Sequence, residues 1–243
     1  MNWKINMNWK IKSKIKYYSS TYNLRYLKRI LLITLTTGLL FPIVSKPIYS
    51  KPSKIFFIDA HSQLPNSQIS DQVINILNRA GIKKVLLTNR DLAKNKDILR
   101  LSDKFPNRIY PIIKTKGKPW SNDKKKFVKT IEGKEKKNKY FGFGEALLFH
   151  AAKGKYGLKA PKVNVSTSSY QFIYLLEKSR SKNWPLIIHI EFRSVNNFLE
   201  RMEELETILE NNRDISFPLI HMGQLDIENV SRLIEKHKNV YFM

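Results

Sequence analysis

Four apolar runs in this chain each end on a residue able to bind a metal ion. They are Ile55-Phe56-Phe57-Ile58-Asp59-Ala60-His61, Tyr140-Phe141-Gly142-Phe143-Gly144-Glu145, Pro185-Leu186-Ile187-Ile188-His189 and Phe217-Pro218-Leu219-Ile220-His221. Three imidazoles and a carboxylate offer the nitrogen and oxygen donors that hold a divalent ion and leave a position open for water. An ion so held lowers the pKa of its water and polarises a substrate oxygen. A polar residue at a strand end also meets water for structural reasons alone, and each of the four taken singly admits that reading. Together they point to a site.

Other residues divide between chemical and structural roles. Glu145 is a fourth ligand, a bridge to a second ion, or the partner of a lysine. Asp59 orients a histidine or closes a strand end by a hydrogen bond. His150 lies in a segment read as loop, where it either faces the site or, as is commoner for a loop histidine, is solvated. His237 reads as a helix C-terminal cap. Arg193, close behind His189 and Glu191, suits a carboxylate, but also an exposed helix start.

The elements that must position these residues follow from periodicity. Strands are expected at Ile55–Ala60, Lys83–Leu87, Arg108–Ile113, Lys139–Glu145, Leu186–Ile190, Phe217–Ile220 and Asn239–Phe242. Helical spacing separates them, as in Val73, Ile76, Leu77 and Ala80, which stop at Gly81. A lysine-rich helix is expected over 122–136, and Ser168 with Gln171 suggests a capping box for the helix after it. The stretch 147–165, with Gly154, Gly157 and Pro161, reads as one long loop. Strands alternating with helices predict an α/β fold around a parallel sheet, most of a (β/α)8 barrel with about seven units and the eighth missing. A doubly wound sheet fits less well, because no glycine-rich phosphate loop follows the first strand.

Composition bounds the function. With 44 Lys and Arg against 20 Asp and Glu, the formal net charge is +24. Such an excess raises the question of nucleic acid or an anionic membrane surface. The lysines are scattered and no nucleic-acid motif accompanies them, so no specific nucleic-acid partner is expected. There is no cysteine, which excludes disulfides and thiolate metal sites.

The first 50 residues read as a basic leader followed by an export signal. Lys28-Arg29 precede the apolar run Ile30–Val44, which is short for a spanning helix but suits a signal core. The expected outcome is export to the periplasm or beyond, with residues 51–243 as the folded domain. An uncleaved segment anchoring the chain to the membrane is the alternative. Met1-Asn2-Trp3-Lys4-Ile5 recurs as Met7-Asn8-Trp9-Lys10-Ile11, a local duplication rather than a structural repeat.

From about Lys54 to Met243 the sequence resembles the metal-dependent amidohydrolase superfamily. The strand-one signature there is Asp-x-His-x-His; here it reads Asp59-Ala60-His61-Ser62-Gln63. His189, His221-Met222-Gly223 and Gly144-Glu145 resemble the strand-five, strand-six and strand-four motifs, and Asn239-Val240-Tyr241 the seventh strand. The resemblance implies a TIM-barrel fold and a divalent cofactor, zinc above all, held by His61, Gln63, Glu145, His189 and His221. It further implies hydrolysis, or non-oxidative decarboxylation, of a small-molecule substrate. His221-Met222-Gly223 favours the branch acting on carboxylated substrates over the TatD-like nucleases, which remain a further alternative. Two departures support a third reading, a truncated or degenerate relative that binds a ligand or metal without turnover. Gln63 stands where a second histidine is expected, and an amide is the weaker ligand. No counterpart of the strand-eight aspartate is present. Open strand edges in such a chain would favour oligomers.

Overall fold

The computed structural model describes residues 56–68, 72–122, 124–136, 139–154 and 160–243. The leader and its apolar run lie outside them. Among the described residues no helix is long and apolar enough to cross a membrane.

Among the described residues eight parallel strands run in chain order, two of them short halves of one segment. The first sheet joins β1 (Phe57–Leu64), β2 (Ile82–Asn89) and β3 (Ile109–Pro111). The second joins β4 (Ile113–Lys114), β5 (Phe143–His150), β7 (Leu186–Ile190), β8 (Phe217–Leu219) and β9 (Val240–Phe242), with a short β6 (Val163–Asn164) antiparallel to β5. β3 and β4 are two halves of one extended segment, broken at Ile112. Ile112 N donates to Leu87 O (3.0 Å), and Ile113 N donates to Gly142 O (2.8 Å). One segment therefore pairs backward with β2 and forward with β5, and this stitches the two sheets together. β1 and β9 are the outer strands.

Helices follow the strands, as parallel crossovers require. They are α1 (Val73–Arg79), α2 (Asn95–Lys104), α3 (Lys118–Asn122), α4 (Lys124–Glu135), α5 (Tyr170–Lys182), α6 (Phe198–Asn211) and α7 (Ile227–Lys236). Gly81, at φ +68°, ends α1 in the left-handed conformation that only glycine adopts without cost. The main core packs Trp120, Phe127, Phe172 and Leu205 of α3 to α6 against Phe143, Leu186 and Phe217 of the second sheet. A smaller core sets Leu77, Ile98 and Leu101 against Val85 and Ile109 of the first. Ile112, Ile187 and Ile220 form a third cluster beneath the strand ends.

The lysine-rich helix expected over 122–136 is α4, with the short α3 an addition before it. Three local expectations need correction. Strand four starts four residues later than expected and runs on to His150; before it, Phe141 N donates to Pro111 O at 2.8 Å without joining the strand. The expected loop after it starts with the second half of β5 and folds back through β6, with Lys153 and Ala160 bridging. Ser169, not Ser168, is the N-cap of α5, and its side chain makes no capping bond. Gln171 is buried, with Nε2 donating to Trp120 O at 3.0 Å.

Candidate metal centre

Glu145 is the hub of the site. It lies on β5 where that strand approaches β7 so closely that a Cβ on Gly144 would sit 2.7 Å from Ile187 Cβ. The Gly-Glu pair is thus a packing requirement as well as a chemical one. Glu145 is buried, and every partner reaches it from another strand end. Gln63 Nε2 donates to Oε1 at 2.6 Å, the Lys116 ammonium pairs with the same oxygen, and His189 Nδ1 lies 2.9 Å from Oε2. His61 Nε2 is 3.4 Å from Oε1.

β1 supplies His61 and Gln63 through an irregularity. The register with β2 shifts between Asp59 and Ser62, a bulge that re-aims the strand end. Asp59 accepts bonds from His61 N and Ser62 Oγ and so closes the bulge, in line with its strand-end reading. His61 and Gln63, two residues apart, touch at 3.1 Å. His61 Nδ1 is buried and has no partner.

The second half of the site centres on Glu191, two residues beyond His189. Its Oε1 lies 3.4 Å from His189 Nε2, 3.8 Å from His150 Nε2 and 2.8 Å from Lys153 Nζ. Its Oε2 accepts from Ala151 N at 2.8 Å. His150, His189 and Glu191 bring their donor atoms within 4.8 Å of one another, close enough to share a metal ion. This donor set fits a divalent ion, since two imidazoles and a carboxylate are ordinary ligands for one. The Glu145 bond on His189 Nδ1 supplies the outer hydrogen bond that usually orients a ligating histidine. His221 stands beside this group, its ring 5.6 Å from that of His189. It is presented by a left-handed run in which His221, Met222 and Gly223 have φ of 53°, 51° and 65°.

The electrostatics suit ligation. Burial would raise the Glu145 pKa, but hydrogen bonds with His189 and His61 and the Lys116 charge outweigh it and hold the carboxyl well below the usual range. Burial opposes ionisation of Glu191 too, yet the Lys153 and Ala151 bonds hold its pKa at about 2. Burial lowers the pKa of His150 and of His221, and His189 lowers that of His221 further. Both therefore favour the neutral form that a metal needs.

All five residues expected as ligands, His61, Gln63, Glu145, His189 and His221, meet at the strand ends. Three others join them. His150 is not a solvated loop residue but the last residue of β5. The sequence assigns no role to Lys116 or Glu191; Glu191 directly follows β7 and Lys116 lies two residues past β4, so the strand-end rule applied to every polar residue type finds both. Arg193 is exposed, on a 3-10 turn away from this group. His237 is the C-cap of α7, as expected, beside Glu206 and Glu210 of α6. Those two carboxylates are already paired with Arg232 and Lys236, so that cluster is a charge-balanced helix contact.

Comparison with known proteins agrees with this architecture. Among solved structures, the fold is similar to an uncharacterized TIM-barrel protein from Bordetella bronchiseptica, 11% identical, covering 77% of this chain and 74% of that one with a TM-score of 0.54. It is also similar to 4-oxalomesaconate hydratase from Rhodopseudomonas palustris, 13% identical, covering 77% and 73% with a TM-score of 0.52. At such identities the likeness establishes the TIM-barrel fold and no more. No curated protein matches the sequence. The family model described as TatD related DNase matches residues 58–242, from the first strand to the last. It is the group that the His221-Met222-Gly223 motif alone ranks second. The match spans well over half of the sequence, and the chain belongs to the TatD-related DNase family.

Proposed function

We propose that this protein is a divalent-metal-dependent hydrolase of anionic substrates, with a phosphodiester as the leading substrate class. The observation that carries the reading is the His150, His189 and Glu191 donor set at the strand ends, with Glu145 fixing the outer nitrogen of His189. The imidazole-rich set favours zinc over magnesium. A divalent ion held there supplies Lewis acidity for attack by water.

The chain's own residues do the rest. Glu145 accepts the Nδ1 proton of His189, which leaves Nε2 as the lone-pair nitrogen toward Glu191. Lys153, half-exposed on the β5–β6 hairpin, and His221, exposed beside it, face an incoming anion. The overall positive charge draws anionic substrates toward the protein. The family match favours a phosphodiester over the small carboxylated molecule expected first. The Lys28–Val44 pattern supports export, which N-terminal sequencing of the mature chain would check.

A second reading is binding without turnover. It is favoured by Gln63 at an imidazole position and by the Lys116 ammonium on Glu145. Hydrolysis of single-stranded DNA, duplex DNA and a chromogenic phosphodiester, with added zinc, manganese or magnesium, separates the two. We expect cleavage that chelator abolishes and His189→Asn lowers at least hundredfold. Stoichiometric metal with no cleavage of any substrate would leave the binding role.

A further inference from the structure

The site contains two buried carboxylates, each with a lysine on it, and the two lysines are held differently. Lys153 reaches Glu191 from the segment after β5, is 54% exposed, and among the described residues its ammonium pairs with that one carboxylate oxygen. Because that ammonium stands largely in water, it can leave Glu191 for solvent when a divalent ion takes its place. Lys116 follows β4, is 24% exposed, and pairs with Glu145 Oε1 while its Nζ also reaches Gln63 Oε1 at 3.4 Å. It thus covers acceptor oxygens on both β5 and β1. Without a cation the buried Glu145 carboxylate would be strongly disfavoured.

Around Glu145 the polar groups His61, Gln63 and His189 converge as they would on a cation, and the cation present is an ammonium. A lysine only donates, so it consumes lone pairs that an ion would need. Its charge also repels a divalent ion at contact distance inside a partly buried site. We propose that Lys116 is a built-in cation occupying the Glu145 half of the site, so that the chain takes one divalent ion, on His150, His189 and Glu191, and not two. Gln63 belongs to the same arrangement: its amide donates to Glu145 and accepts from Lys116, which a neutral imidazole at one position cannot do with a single nitrogen. The inference rests on the metal-dependent reading above.

The test is metal content of the full-length chain after dialysis against zinc or manganese chloride, by elemental analysis. We expect one ion in the parent and two in Lys116→Met/Gln63→His, which removes the ammonium and adds an imidazole beside His61. Two ions in the parent overturn the inference while leaving the metal-dependent reading intact. One ion in both, with unchanged circular dichroism, overturns it as well. Should the double variant not fold, Glu191→Gln decides: loss of the parent's ion supports the assignment, and retention places that ion on Glu145 and overturns it. No ion in the parent or any variant sinks the metal reading and this one with it.

Discussion

The two sheets meet in one site but are supported unequally. β4, β5, β7, β8 and β9 rest on α3 to α6 and on the large core that includes Trp120, Phe127 and Phe172. β1, β2 and β3 rest on α1 and α2 and a thinner core. On the outer strand β1, Phe57 and Ile58 are 61% and 43% exposed, whereas every residue of β7 is buried. His61 and Gln63 come from the weaker side; Glu145, His189 and Glu191 come from the stronger. The lesson is that the Glu191 half of the site is as firm as the main core, while the His61 and Gln63 half depends on a strand that, among the described residues, is paired on one side. Local opening should therefore release β1 first.

Paired truncations test this difference most severely. Trp120→Ala empties the main core and removes the indole bond to Leu147 O, 2.9 Å in length. A loss of about 4 kcal/mol is expected from such a cavity. Leu101→Ala in the thinner core should cost about 2–3 kcal/mol, because its surroundings can collapse. Urea midpoints measure both, and a larger loss at Leu101 would reverse the ranking. Hydrogen exchange on the same proteins should show β1 amides exchanging before those of β7.

Gly144→Ala probes the seam on which Glu145 sits. Its Cβ would collide with Ile187, so β5 and β7 must part, at a cost of about 2 kcal/mol. The variant should also bind metal more weakly, since Glu145 and His189 lie on those two strands. Unchanged stability and affinity would show the seam to be slack.

The smallest effect concerns Lys134 on α4, whose Nζ donates to Lys114 O at 3.1 Å. Burial, then the charge of Lys114, lowers its pKa to about 8. Below about pH 8 both folded and unfolded chains carry this proton, and the folded state bears the cost of burying it. Between about 8 and 10.5 the unfolded chain binds more protons, so stability rises with pH across that window. Lys134→Met should therefore stabilise the protein at pH 7 by on the order of 1 kcal/mol. The gain should fade toward pH 10, and a pH-independent difference would rule out the charge as its cause.

Much of the order of elements was legible because buried strands and amphipathic helices carry different periods. The residues that escaped did so for specific reasons. In the sequence Gly154 and Pro161 outweigh the apolar Leu147-Leu148-Phe149, which hides the second half of β5 and His150 at its end. Lys116 was hidden by abundance, since one lysine among so many carries no signal until Glu145 is seen beneath it. Glu191 was visible as the second residue after His189, but only the alternation of β7 puts both on one face. The capping-box pattern at Ser168 failed because Gln171 is used elsewhere, in holding Trp120.

The turn that carries His221 has a mechanical consequence. His221, Met222, Gly223 and Gln224 all lie in the left-handed region, and only one of them is glycine. Such a conformation persists only while its surroundings impose it. Here they include the residue directly after β9: Met222 N donates to Met243 O at 2.8 Å, and Met243 N donates to Leu219 O at 3.2 Å. The place of the His221 imidazole beside His189 is therefore set from a distance, by two backbone bonds at the end of β9. A substitution that weakens β9 is expected to loosen His221 while leaving His189, on the fully buried β7, where it is.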